Sequence, residues 1–301
     1  MKEERTEEYL EAIYRRQTKK LPVTTSSLAE ELKVSPPAVT DMLRHLDKHG
    51  LIDYKPNKGL TLTASGSEKA LGIVRRHRLW ERFLTDILGM KWDKVHEEAC
   101  KLEHIDSRGI EEGLVDLLGD VETCPHGHSI PDKDGNIKSE KAIPLSKLEL
   151  DRKACLVAIA KEDPKLLRTM EKLGLKPGIV FTVVNNIKRE GILELKVDDE
   201  NVQLKSDFAP FLLVKPLTRE SDTCMAEAVP LSRLTSGQTG IVKSYAGGRG
   251  MLGRCLTLGF TPGSLVKMIR NYRHGPLLVK VRDGEVALGR QIAEKILVNP
   301  G

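Results

Sequence analysis

The sequence predicts a multidomain α+β protein: an N-terminal winged helix-turn-helix, an all-α middle domain and two small β-barrels in tandem. Three observations carry this. Apolar residues recur at helical spacing between capping and breaking residues up to about Thr63, and the pattern stays helical from Ala64 to Leu118. Beyond Pro125 short strands punctuated by Pro and Gly take over, and they occur twice: Pro144-Leu145-Ser146-Lys147-Leu148 returns as Pro230-Leu231-Ser232-Arg233-Leu234, an offset of 86, and Leu173-Gly174-Leu175 returns as Leu258-Gly259-Phe260, an offset of 85.

The elements follow in order. Tyr9, Leu10, Ile13 and Tyr14 share a helical face, and Pro22 ends that helix. Thr25-Ser26-Ser27 offers capping hydroxyls to a second helix carrying Leu28, Ala29 and Leu32. Ser35-Pro36-Pro37 opens a third, with Val39, Leu43 and Leu46 on one face and Gly50 as its stop. A short turn between two such helices fits a helix-turn-helix. Leu51–Lys55 and Gly59–Thr63 then alternate around the turn Pro56-Asn57-Lys58-Gly59, which makes a wing. One long helix runs through Arg75–Glu81, Gly89 breaks it, a second runs from Trp92 to about His104, and a third starts at Ser107. The boundaries expected are 1–64, 65–140, 141–217 and 229–301, with residues 218–228 as a polar linker.

Composition narrows the function classes. A chain of 301 residues suffices for several domains, each with its own core. No apolar run approaches the roughly 18 residues of a membrane span, and the N-terminus opens on charge, so the expectation is a cytoplasmic protein without membrane insertion. Lys+Arg number 48 and Asp+Glu 43, but the excess is local: residues 229–301 hold 11 basic and 3 acidic side chains, the remainder 37 and 40. Overall basicity therefore does not argue for nucleic-acid binding. Five scattered cysteines without a CxxC pair argue against a disulfide scaffold or a zinc ribbon.

The residues with chemistry lie in the middle segment. His96, Cys100, Glu103 and His104 fall on one helical face, because residues three and four apart point the same way. His77 and Glu81 repeat the spacing on the preceding helix. Imidazole, carboxylate and a thiolate together suit a borderline divalent transition ion better than Ca²⁺ or Mg²⁺. Glu8 and Glu11 on the first helix read, by themselves, as a solvated face. Cys124-Pro125-His126-Gly127-His128 reads as a loop with incidental ligands, and His96-Glu97-Glu98-Ala99-Cys100 lacks the second histidine of a zinc-protease motif, so no enzyme is expected. Gly247-Gly248-Arg249-Gly250 lacks the Lys-Ser/Thr ending of a phosphate loop and reads as a hairpin turn.

The helix-turn-helix carries the second function. Its third helix would present Ser35, Pro37 and Thr40 to a major groove, with Arg44 and the wing residue Lys58 placed for phosphates. With 11 basic and 10 acidic residues over positions 1–60, a single copy would bind weakly, so dimerisation is expected.

Several motifs in one order resemble the diphtheria toxin repressor family of metal-dependent regulators: Glu8-Tyr9-Leu10-Glu11-Ala12-Ile13-Tyr14, the helix-turn-helix, Arg76-His77-Arg78-Leu79-Trp80-Glu81, Lys94–Cys100 through Glu103-His104, and Pro125-His126-Gly127 before Ile130-Pro131. The two later modules each resemble FeoA, an SH3-like barrel, with Leu288–Ile296 as a closing signature. The resemblance implies that the middle domain dimerises and that Glu8, Cys100, Glu103 and His104 form a regulatory metal site, with His77, Glu81 and His96 in an ancillary one. It also implies a ligand from the first SH3-like module, for which Glu162 and Asp163 are the candidates. The first-helix position, methionine in iron-type members and aspartate in manganese-type ones, is Glu8 here, whereas Cys100 matches the iron type; Fe²⁺ is favoured, with Mn²⁺ the alternative.

The function implied is a homodimeric repressor of metal-uptake genes that binds double-stranded operator DNA when metal joins the first helix to the dimerisation domain. The alternative is a regulatory partner that contacts a ferrous iron transporter through its FeoA-like modules.

Overall fold

The computed structural model describes residues 2–55, 59–118, 121–138, 141–187, 190–197, 200–217, 229–245, 255, 257–261, 263–272, 275–282 and 284–300. Lys58, the linker 218–228 and the Gly247–Gly250 turn lie outside the described residues. The chain divides into two compact units, one comprising Met1–Arg78, Cys100–Asp106 and Ile130–Lys138, the other Leu79–Ala99, Ser107–Ser129 and Ser139–Gly301.

The first unit holds α1 (Lys2–Thr18), α2 (Thr25–Leu32), α3 (Pro36–Lys48) and the antiparallel pair β1 (Ile52–Lys55) and β2 (Gly59–Leu62). This is the helix-turn-helix and wing expected. The cap of α2 is Thr24, one residue before the expected hydroxyls: its side chain accepts from Ser27 N while Ser27 Oγ accepts from Thr24 N, a reciprocal pair that satisfies two end donors. Ser35 caps α3, with Pro36 in the first turn where no amide donor is missed. Leu10, Ile13, Leu28, Val39, Leu43 and Leu46 form the fully buried centre. α4 (Ala64–Arg82) begins against Leu51, the residue before β1, and Gly66 permits the approach, since a Cβ there would lie 1.9 Å from the Leu51 carbonyl oxygen.

α4 runs into a single π turn, Phe83–Ile87, in which Leu88 N bonds back to Phe83 O before Gly89 adopts φ +66°. The residue pattern predicts only the break at Gly89; one extra residue per turn leaves no mark on apolar spacing. α5 (Trp92–Leu102) and α6 (Arg108–Leu118) complete the helical segment.

Two six-stranded antiparallel sheets follow. The first contains β3 (Ile143–Pro144), β4 (Lys153–Ile159), β5 (Val180–Ile187), β6 (Ile192–Val197), β7 (Glu200–Lys205) and β8 (Leu212–Pro216), with α7 (Pro164–Lys172) after β4. The second contains β9 (Val229–Pro230), β10 (Thr239–Tyr245), β11 (Leu265–Arg270), β12 (Leu277–Val281), β13 (Gly284–Leu288) and β14 (Ile296–Pro300). Their strand orders, β3-β8-β4-β5-β6-β7 and β9-β14-β10-β11-β12-β13, are the same, and the bulge in β4 at Leu156/Ala158 recurs in β10 at Val242/Ser244. The internal repeat is thus a repeat of fold. Each module buries its own core, around Leu156, Phe181 and Leu195 in one and Phe260, Met268 and Val279 in the other. No helix of the described residues is long and apolar enough to cross a membrane.

Candidate metal centre

Among the described residues the buried polar or charged side chains are His77, Glu81, Glu103 and His126. Burying such groups is costly unless they are paired or coordinate an ion, and all four fall into two donor clusters, one in each unit.

In the first unit, His77 of α4 and Glu103 just past α5 meet through Nδ1 and Oε2 in a short hydrogen bond. His104 Nε2 stands 3.7 Å from the other Glu103 oxygen, and His104 Nδ1 lies 2.6 Å from Glu7 Oε2. Arg76 knits the group together: its Nη2 donates to Glu7 Oε1 at 3.0 Å and its Nε to the Glu103 carbonyl at 2.6 Å. Burial raises the Glu103 pKa against the pull of the His77 hydrogen bond, and the nearby charge of Glu11 adds to the rise. Cys100, half-buried and not in a disulfide, belongs to the same unit. Of the predicted residues the fold therefore brings together His77, Glu103 and His104. Glu8 is exposed on α1, and the residue of that turn that closes on His104 is its neighbour Glu7. Tyr9, Leu10, Ala12 and Ile13 define the buried face of α1 and leave Glu7 and Glu8 both at its polar margin, so periodicity alone does not choose between them.

In the second unit, His96 Nδ1 lies 2.5 Å from Glu162 Oε2 and 3.7 Å from Glu81 Oε1. His126 Nδ1 lies 3.4 Å from Glu81 Oε1 and 3.8 Å from Glu162 Oε1. Donor atoms of Glu81, Cys124 and His126 all fall within 4.8 Å of one another. The two acidic candidates meet different partners: Asp163 accepts from Lys165 N and Leu166 N as the N-cap of α7, while Glu162 turns to the histidines. Burial would raise the Glu162 pKa, but the His96 hydrogen bond and the charges of His96 and His126 outweigh it and hold the carboxyl at about 2. Burial would lower the His126 pKa, but contact with Cys124 and the Glu81 carboxylate raises it to about 10.

Cys124 and His126 are the donors that sequence reasoning passed over. Cys124 N donates to His128 O, Gly127 N to Cys124 O, and Ile159 N to His126 O, which pins the turn against the end of β4. Gly127 has φ +89°, and a Cβ there would sit 2.0 Å from the Val157 carbonyl oxygen, so only glycine fits. A glycine between two histidines was the available signal. His128 has another task, since its Nε2 donates to Ile159 O.

The predicted DNA-reading residues are divided in their use. Ser35 and Pro37 are exposed at the start of α3, although the Ser35 hydroxyl caps the helix by accepting from Ala38 N. Thr40 Oγ1 donates back to Pro36 O, and Arg44 is exposed with Asp41 at 3.8 Å.

Three family models match the chain: the iron dependent repressor N-terminal DNA binding domain over residues 1–60, the iron dependent repressor metal binding and dimerisation domain over 63–132, and the FeoA domain twice, over 143–216 and 229–300. The diphtheria toxin repressor of Corynebacterium glutamicum is 32% identical over 215 residues, which span 92% of that protein and 68% of this chain. The chain belongs to the diphtheria toxin repressor family. It is a metal-dependent, DNA-binding transcriptional repressor, and the other likenesses agree. The iron-dependent repressor IdeR of Mycobacterium leprae is 29% identical over 94% of its length and 68% of this chain. A manganese-dependent transcriptional repressor in complex with manganese superposes with a TM-score of 0.62 at 32% identity, covering all of that chain and 70% of this one. T. acidophilum IdeR gives 0.57 at 27% identity, over 97% of its chain and 70% of this one.

Proposed function

We propose that this family member represses metal-uptake genes from the cytoplasm as a homodimer on operator DNA, activated by a divalent transition metal held at two centres. The observation that carries the reading is the placement of every buried polar side chain described, His77, Glu81, Glu103 and His126, in one of two donor clusters. Glu8, Cys100, Glu103 and His104 form the regulatory set; His77, Glu81 and His96 form the second, joined by Cys124, His126 and Glu162, and His77 is also bonded to Glu103 of the first. The donors suit a borderline ion: imidazoles and carboxylates in both sets, one thiol in each. Fe²⁺ is favoured by the sulfur, Mn²⁺ by the number of carboxylates, and relatives of both kinds are known.

A divalent ion, when bound, supplies the charge that lets several carboxylates approach one another. The rest is done by the chain. Glu7, Arg76 and His104 already tie α1, which leads into the helix-turn-helix, to the end of α5. Donors on both sides of that junction would make the position of α1, and with it the recognition helix, depend on metal. Ser35, Pro37, Thr40, Arg44 and Lys58 are the proposed DNA contacts. No catalytic role is proposed for either cluster. Nothing among the described residues favours the transporter contact.

The test is a fluorescence titration of operator-length duplex from the protein's own promoter, at fixed salt, with anaerobic Fe²⁺, Mn²⁺ or Zn²⁺ against chelator. Binding should appear only with metal, and be abolished in Cys100→Ala and His104→Ala with the fold intact. Operator binding indifferent to metal would sink the switch.

A further inference from the structure

The second FeoA module differs from the first in charge while sharing its fold. Residues 143–216 hold 13 basic and 11 acidic side chains; residues 229–300 hold 11 and 3. The basic count changes little while the acidic count falls from 11 to 3, and Thr182 and Asn185 of the first sheet correspond to Lys267 and Arg270 of the second. Glu194 of the first module corresponds to Leu278 in the second, and Lys196 to Lys280, as the matching registers Thr182↔Lys196 and Lys267↔Lys280 require. In the first module Arg152 pairs with Glu149, and Arg168 reaches Asp93 of α5. Among the described residues no Lys or Arg of the second module takes part in an ion pair.

The uncompensated charge gathers on the outer face of the sheet. Lys267 and Lys280 are direct cross-strand partners on β11 and β12, both exposed, where like charges repel. Arg270 pairs with Leu278 on the same face and lies over the ring of Tyr272, 5.7 Å from its centroid, with Tyr272 itself 63% exposed. Glu285, opposite Lys280, is the one acid of this face among the described residues. Folding alone is poorly served by two opposed lysines flanked by an unpaired arginine; an external polyanion removes the repulsion and uses the charge.

We propose that this face, Lys267, Arg270 and Lys280, is a second DNA-contacting surface that meets the phosphate backbone of the duplex on which the repressor sits. The inference rests on the repressor reading, which supplies the polyanion. Phosphate contacts carry no sequence information and release counterions, so this surface adds affinity equally to operator and unrelated duplex and makes binding more sensitive to salt.

The test uses the full chain loaded with Mn²⁺, fluorescence anisotropy on labelled operator and on a scrambled duplex, and a salt series from about 50 to 200 mM. Lys267→Gln/Arg270→Gln/Lys280→Gln is expected to reduce the slope of log affinity against log salt by about 0.9 for each phosphate no longer neutralised, so by roughly 2 to 3 for each protomer whose face touches the duplex, on both duplexes. Replacing Lys267 and Lys280 by Arg, which keeps the charge, should preserve the slope, and Lys153→Gln/Lys196→Gln on the first module should leave it unchanged. If wild type binds DNA with metal and the triple variant has the same slope and affinity, the proposal is overturned and the face belongs to an acidic protein partner. If wild type itself fails to bind either duplex with metal, it is the repressor reading that falls.

Discussion

Glu7 Oε2 and His104 Nδ1, separated by 97 positions in sequence, lie 2.6 Å apart, and Arg76 holds the second Glu7 oxygen at 3.0 Å. This bond joins the first helix of the DNA-binding unit to residues just beyond α5. Glu8, one position on, is exposed. The two carboxylates should therefore separate by experiment. In chelator, Glu7→Gln is expected to destabilise the chain by about 1–3 kcal/mol, the range for a hydrogen bond between charged groups, while Glu8→Gln leaves the melting transition in place. In a metal titration Glu8→Gln should weaken the regulatory centre by about tenfold or more. The reverse pattern would exchange their roles.

The second centre should be removable on its own. Cys124→Ser and His126→Ala are each expected to lower the metal bound per chain from two to one, read by equilibrium dialysis with elemental analysis. With Co²⁺ as a probe, the sulfur charge-transfer band should weaken in Cys124→Ser and persist in part through Cys100. Unchanged stoichiometry in both variants would remove these residues from the ligand set.

Metal loading of that centre should release protons. Contact with Glu81 and Cys124 keeps His126 protonated up to about pH 10, and a ligating imidazole must be neutral. At neutral pH each ion bound there displaces at least about one proton, so affinity rises with pH by about tenfold per unit until His126 loses its proton on its own. Calorimetry in buffers of different protonation enthalpy measures the release. A buffer-independent enthalpy would contradict the assignment of His126.

Gly127→Ala should be among the costliest single-methyl changes in the molecule. The added Cβ meets the Val157 carbonyl at 2.0 Å on a backbone with φ +89°, so turn or strand must move. A loss of about 3 kcal/mol is expected in chemical denaturation, together with loss of metal at the second centre, because the same turn carries Cys124 and His126. A variant of wild-type stability that still loads both centres would contradict this account.

Local order was written in the sequence. Helical spacing placed His77 and Glu81 on one face of α4 and His96 and Cys100 on one face of α5, because residues three and four apart on a helix are neighbours whatever surrounds it. Capping residues bounded α3, and the 85- to 86-residue repeat announced two barrels that share one strand order. What packing alone decided was which groups meet across long stretches of chain: Glu7 in place of Glu8 at His104, Glu162 at His96 while Asp163 caps α7, and Cys124 with His126 brought to Glu81 by a glycine turn pinned to β4. Periodicity describes one element at a time. A metal centre or a charged sheet face is assembled from several, and only the tertiary contacts determine which side chains arrive there together.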